Sequence, residues 1–338
     1  MLCLQGKTWA GCNNLQSQIL NLKIMHVLIK HFKDLSKKDV AIAGGKGASL
    51  GEMTQAELPV PPGFVVLANC FDRFCEETDI AVDIEALLKK VNHKDTNSVE
   101  QASEKIREII RTATMPKDIM VEILSNVKKL KSKFMAVRSS ATAEDSKIAS
   151  WAGELETYLN VQEKEILRYV QMCWSSLFTP RAIFYRIEKK LHTQKVSVAV
   201  VIQKMIQSEV SGITFTVHPV TKDYNQMVIE AGFGLGEAIV GGLVTPDTYI
   251  IHKNNYSILD IAVSEQSMKI VKTPRGKNLN KKLSRTIGSR QKLTGKRIID
   301  LARICVQIEK LYKHPQDIEW AYEKGKFYIT QSRPITTL

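Results

Sequence analysis

The stretch from Val137 to Thr157 constrains this chain more than any other. An arginine, Arg138, leads out of a short apolar strand at 134–137 into Ser139, Ser140, Ala141 and Thr142. The glycine-anchored turn Ala152-Gly153-Glu154 follows and leads to Thr157. Backbone N–H groups, hydroxyls and one permanent cation therefore lie close together, as a polyphosphate requires of a protein. A plain strand feeding a solvated loop can share this composition, so the segment alone leaves both readings open.

With 338 residues, the chain can bury a large core and divide into two or more units. Apolar residues make up 44%, which argues against bulk disorder. No apolar run approaches the roughly 18 residues of a membrane span, and the longest candidate, 196–202, broken only by Ser197, suits a buried strand. The six cysteines show neither C-x-x-C pairing nor zinc spacing, and are expected to be free cytosolic thiols. Residues 1–24 lack the apolar centre of a secretory signal. They are expected to be an N-terminal extension, either unstructured or an upstream start assigned in error. A cytoplasmic location is expected.

The formal charge of +13 raises the question of nucleic acid, but its distribution answers it. Between Glu265 and Asp300 there are eleven Lys or Arg residues and no acid, so the excess is concentrated in one segment. No aromatic side chain is interleaved there to stack on bases, and nucleic acid is not an expected partner. Residues 266–297 are expected to form a solvated basic connector, with an anion-binding surface as the alternative.

Helical patterns fill most of 71–131 and 163–191, with a break near Thr179-Pro180. From 196 onward strands dominate, and the chain closes with a helix at 298–311 and a hairpin. Periodicity alone supports a mixed α/β or α+β fold.

Three further motifs bear on chemistry. Gly44-Gly45-Lys46-Gly47 puts a lysine inside a glycine-rich turn at a helix start, where free N–H groups and the helix dipole favour phosphate. It lacks Walker A spacing, and an ordinary turn has the same composition. Glu230-Ala231-Gly232-Phe233-Gly234-Leu235-Gly236-Glu237 is not a Rossmann fingerprint, but its glycines permit a tight loop over phosphates, with Glu230 and Glu237 as candidate metal or substrate-side carboxylates. In the C-terminal hairpin, period-two alternation puts Ile329, Gln331 and Arg333 on one face. A turn centred on Gly325 sets Glu319 opposite Gln331. Such oxygen ligands suit Mg²⁺, and a charged hairpin with an ion pair is the alternative.

Taken in order, these motifs resemble the nucleotide-binding domain of the phosphoenolpyruvate synthase and pyruvate phosphate dikinase family, which includes rifampicin phosphotransferases. The resemblance runs from about Met25 to the last residue. It implies an α+β, ATP-grasp fold with a first lobe at 25–195 and a second at 196–338, clamping ATP. By resemblance, Lys46, Arg138, Gly153, Thr157, Gln203, Glu319, Gln331 and Arg333 line the nucleotide site. Glu319 and Gln331 would hold Mg²⁺, while Lys46, Arg138 and Arg333 would neutralise the transferred phosphoryl group. Glu144 and Asp145 stay open between ligands and a helix-starting pair.

Complete relatives pass the β-phosphoryl of ATP to a carrier histidine and onward to pyruvate. None of His26, His31, His93, His192, His218, His252 and His314 sits in a segment resembling that carrier motif. The resemblance thus implies a phosphohistidine carrier and pyruvate-domain protein acting in trans. The alternatives are the ATP-binding part of a rifampicin phosphotransferase and a nucleotide-binding module without turnover.

Overall fold

The computed structural model describes residues 27–142, 156–188, 197–273 and 276–336. The expected extension at 1–24, the junction near 195, and Glu144, Asp145 and Gly153 lie outside the described residues.

The run at 198–202 shows no polar side chain to water, so it needs cover on both faces. It lies at the centre of a five-stranded antiparallel sheet. The strands are β1 (Ile29–His31), β2 (Gly63–Val66), β3 (Met135–Ala141), β4 (Thr157–Val161) and β5 (Val198–Lys204), in the order β1-β2-β5-β3-β4. Alternation splits their side chains. Phe64, Val137, Val200 and Ile202 pack on Phe74, Ile106, Ile119 and Trp174 of the helices on one side. Val65, Ala199 and Val201 face the other way, in a core with Leu50 and Met53 of helix Val40–Gln55. The expected break near Thr179-Pro180 is present, between helices Ile166–Ser175 and Pro180–Glu188.

Downstream come β6 (Val210–Phe215), β7 (Gln226–Phe233), β8 (Asp247–His252) and β9 (Ile258–Ala262), then β10 (Met268–Lys272) and β11 (Asn278–Lys282), then β12 (Gln316–Glu323) and β13 (Lys326–Pro334). Six of these form a second antiparallel sheet, β13-β12-β6-β7-β8-β9, while β10 and β11 pair separately. Helix Gly295–Tyr312 buries Leu301, Cys305 and Ile308 in one core with Ile229, Tyr249, Ile318 and Trp320. That core also contains Leu50, Met53 and Val201, so helix Val40–Gln55 joins the two sheets. Ser49 of this helix donates to the Ser332 carbonyl of β13 at 2.9 Å. The architecture is α+β. No described helix is long and apolar enough to cross a membrane.

The basic segment 266–297 is more structured than a solvated connector. It holds β10–β11, the short helix Arg285–Gly288 and the first turn of helix Gly295–Tyr312. Lys292 within it is fully buried, with Nζ 2.8 Å from Asp247 Oδ1. Its ammonium also donates to the carbonyls of Ser264 and Gly288. Asp247 in turn accepts from the Tyr249 hydroxyl at 2.7 Å. A charge out of water needs such a full set of partners.

Candidate functional site between the two sheets

Strand β3 organises the site by alternation. Ser139 turns toward the helices, where its hydroxyl meets Ser176 Oγ at 2.9 Å and donates to the Glu156 carbonyl at 2.9 Å. Arg138 and Ser140 turn the opposite way. Ser140 Oγ donates to the Ala43 carbonyl at 2.9 Å and accepts the Gly47 N–H at 3.2 Å. The glycine-rich motif is thereby fastened to β3, two residues from Arg138. Gly44 makes this approach feasible. Its φ of 68° and ψ of 172° break helix Val40–Gln55, so Gly45-Lys46-Gly47 opens a fresh helical turn. Lys46, half-buried, stands in that first turn.

Arg138 is only 7% exposed and crosses from the first sheet to the β12–β13 hairpin. Nη1 donates to the Thr330 carbonyl at 2.6 Å and Nη2 to Gln331 Oε1 at 2.6 Å. Nη2 also lies 3.3 Å from Glu319 Oε2. A bulge prepares this docking. The ladder pairs Glu319 with Gln331, then Trp320 with Ile329, leaving Thr330 without a cross-strand partner. The guanidinium takes the carbonyl freed there.

The expected opposition of Glu319 and Gln331 is therefore present. The bulge overturns a neighbouring expectation: Ile329 does not share a face with Gln331 but lies opposite Trp320, fully buried in the core. Arg333 stands opposite Asp317, not Glu319, with Nε and Nη2 donating to Asp317 Oδ2 at 2.8 and 2.7 Å. Asp317 is the neighbour that motif reading passes over, although its position two residues before Glu319 puts it on the same face. Burial raises its carboxyl above the usual range; Arg333 opposes the rise and Glu319 adds to it. Glu230 lies across Ile213 from Glu319, and burial followed by the charge of Asp317 raises it too. Three carboxylates thus share one face of the second sheet.

Between the sheets lies a cavity of about 280 Å³. Arg138, Thr157, Gln203 and Glu319 line it together, joined by Gly236 and Glu237 from the second glycine-rich motif. Leu159, Met205, Ile206, Leu235 and Val240 supply its apolar wall. Thr157 pairs directly with Arg138 across β3 and β4. Gln203 is 2% exposed and donates to the Pro61 carbonyl at 3.3 Å. Lys46, Gln331 and Arg333 are not among the described residues that line the cavity; Gln331 reaches it through Arg138. Among the described residues no group of three or more His, Cys, Asp or Glu side chains could hold a metal alone. Glu319 and Gln331 do offer two oxygen donors side by side. A cation and oxygen donors beside an apolar slot can accommodate an anionic group attached to a flat base.

The family model for the pyruvate phosphate dikinase, AMP/ATP-binding domain matches residues 40–338. A probable phosphoenolpyruvate synthase of Methanocaldococcus jannaschii is 47% identical over 312 residues, covering 90% of this chain and 26% of that protein. A probable phosphoenolpyruvate synthase of Archaeoglobus fulgidus is 47% identical over 311 residues, covering 90% of this chain and 41% of the relative. A rifampicin phosphotransferase of Bacillus cereus is 37% identical over 317 residues, covering 93% of this chain and 36% of the relative. The chain spans less than half the length of each of these curated relatives. Since the family match takes in nearly all of the described fold, the chain belongs to the pyruvate phosphate dikinase AMP/ATP-binding domain family.

Proposed function

We propose that the chain is the ATP-binding, phosphoryl-donating part of a phosphoenolpyruvate synthase-like phosphotransferase, a pyruvate, water dikinase. In this reading it is an ATP-grasp fold whose two lobes follow the two sheets; because β5 (Val198–Lys204) is the central strand of the first sheet, the first lobe runs past the expected boundary at residue 195. One observation carries the proposal: Arg138, buried and anchored on both sheets, opens with Glu319 into a cavity that is otherwise largely apolar. Adenine would lie against Leu159, Met205 and Leu235, with Gln203 offering an amide at the base or ribose. The triphosphate would meet Arg138, with Thr157 and the Gly153 turn close by. Lys46 and Arg333 would close on it from the helix start and the hairpin. Fixed cations at a transferring phosphoryl group stabilise charge without reorganising.

Glu319 and Gln331 would hold Mg²⁺. Their oxygens suit a hard cation, and both already face one positive charge, the Arg138 guanidinium. An ion held there would supply positive charge to offset that of the phosphates.

The receiving histidine is proposed to come in trans, on a carrier and pyruvate-domain protein. His218 supports this by being otherwise employed: its Nδ1 accepts the N–H groups of Val220 and Thr221 in a turn. His31 is likewise engaged, 3.0 Å from Asn126 Oδ1. The test is to incubate the chain with ATP, Mg²⁺ and pyruvate, alone and with such a partner. Phosphoenolpyruvate and acid-labile phosphohistidine are expected only with the partner. Product from the chain alone would overturn the division of labour. Similarity to a rifampicin phosphotransferase supports a second acceptor class, so a rifamycin with its matching acceptor domains is the parallel arm. Turnover in neither arm would favour a nucleotide-binding module.

A further inference from the structure

We propose that Glu237 selects the ribose of the nucleotide and that the β10–β11 hairpin positions it through Asn278. The proposal rests on the ATP reading above. Glu237 lines the cavity from the same turn as Leu235 and Val240, which belong to the apolar wall. A carboxylate there does not suit a triphosphate, which it would repel. It does suit neutral hydroxyl donors, and the ribose 2′ and 3′ hydroxyls are the ones a nucleotide carries between base and phosphates.

The carboxylate is held in place. Asn278 Nδ2 donates to Glu237 Oε2 at 2.6 Å, and no described residue bonds Oε1. Asn278 Oδ1 accepts from Asn160 Nδ2 at 2.6 Å, and Asn160 Oδ1 accepts from Gln207 Nε2 at 2.8 Å. Asn160 is 3% exposed and follows Leu159, itself a cavity residue. A line of amides therefore runs from β4 to the hairpin and on to Glu237. The hairpin is seated closely enough to hold this line. Lys272 Nζ lies 4.2 Å from the centre of the Phe134 ring, and a Cβ on Gly276 would come within 2.8 Å of that ring. These contacts give the hairpin a purpose that its charge alone does not.

The test compares equilibrium binding of ATP, 2′-deoxy-ATP and 3′-deoxy-ATP to the full chain, with Mg²⁺. A site built to hydrogen-bond a hydroxyl binds an analogue that lacks it less tightly. The parent should favour ATP over at least one deoxy analogue by about tenfold or more. Glu237→Ala should bring the preference close to unity. Asn278→Ala, which spares the carboxylate but frees it to rotate, should reduce the preference in part. Were Glu237 only an anchor for the hairpin, its loss would weaken all three nucleotides alike and leave their ratio unchanged. An unchanged ratio in Glu237→Ala, or a parent that binds all three equally, overturns the proposal while leaving the ATP reading intact. A parent that binds none of them overturns both.

Discussion

Gly44→Ala tests whether the glycine-rich turn must sit directly on β3. At φ 68° and ψ 172° the backbone occupies a region almost reserved for glycine, at a cost of about 1–3 kcal/mol for another residue. A Cβ built there would lie 2.2 Å from Ser140 Oγ and 2.4 Å from the Ser140 carbonyl oxygen. The hydroxyl could rotate away, but the carbonyl belongs to an inner strand and cannot. Forcing the turn off β3 adds an overpacking cost of about 1–3 kcal/mol. It also strains the two hydrogen bonds of Ser140 Oγ, each worth about 1 kcal/mol. Together these give about 2–8 kcal/mol of lost stability, depending on how far the Ser140 bonds are lost. Gly242→Ala is the control: its φ is 65°, but nothing lies within 4 Å of the added Cβ, so only backbone strain applies. Urea denaturation of the parent and both variants should show Gly44→Ala to be the more destabilised by several kcal/mol, and its ATP affinity should fall as Lys46 leaves Arg138. Equal losses in the two variants would refute the argument from close approach.

Lys292→Met should lose about 3–5 kcal/mol of stability in the same assay, because it leaves Asp247 buried without its cation. Adding Asp247→Asn should restore part of that loss, and a lone Lys292→Met with parental stability would contradict the ion-pair reading. Glu230→Gln should stabilise the chain near neutral pH. Burial raises the Glu230 carboxyl, so the folded state binds its proton more tightly than the unfolded state. The cost of the ionised form is then full above the raised pKa and vanishes below the ordinary value of 4.5, so the variant's advantage should shrink as pH falls through that window. An advantage independent of pH would show that ionisation is not its source. Glu319→Gln should keep the hairpin yet raise the Mg²⁺ concentration needed for nucleotide binding, since one anionic ligand becomes neutral. An identical Mg²⁺ dependence in variant and parent would remove Glu319 from the metal role.

The opposition of Glu319 and Gln331 is legible in the amino-acid sequence, because strand alternation and a glycine-centred turn are local rules, whereas Arg138 is singled out by its motif and the family resemblance. The bulge at Thr330 is not, since nothing in the hairpin's own residues marks where Arg138 will need a free carbonyl. Without the bulge, alternation misplaces Ile329 by one face. The same limit hides the partner of Arg333: Asp317 and Arg333 stand opposite each other only once the register is known. Charge misleads in the basic segment. Eleven cations without an acid in 266–299 suggest solvation. Yet the counter-ion of Lys292 is Asp247, 45 residues earlier, which no local window contains. The β10–β11 hairpin escapes for a related reason: its seat is made by Phe134, Asn160 and Glu237, all distant in sequence.

Arg138, in the cavity between the sheets, and Lys46, at the helix start fastened to β3, are together proposed to meet the phosphates of ATP. Calorimetric titration of the purified chain with ATP in the presence of Mg²⁺ tests this central claim most directly. The parent should bind one ATP per chain. Arg138→Ala and Lys46→Ala should each weaken binding by about 1.5–3 kcal/mol, the worth of a charge-assisted contact. No binding by the folded parent, or unchanged affinity in both variants, would contradict the account.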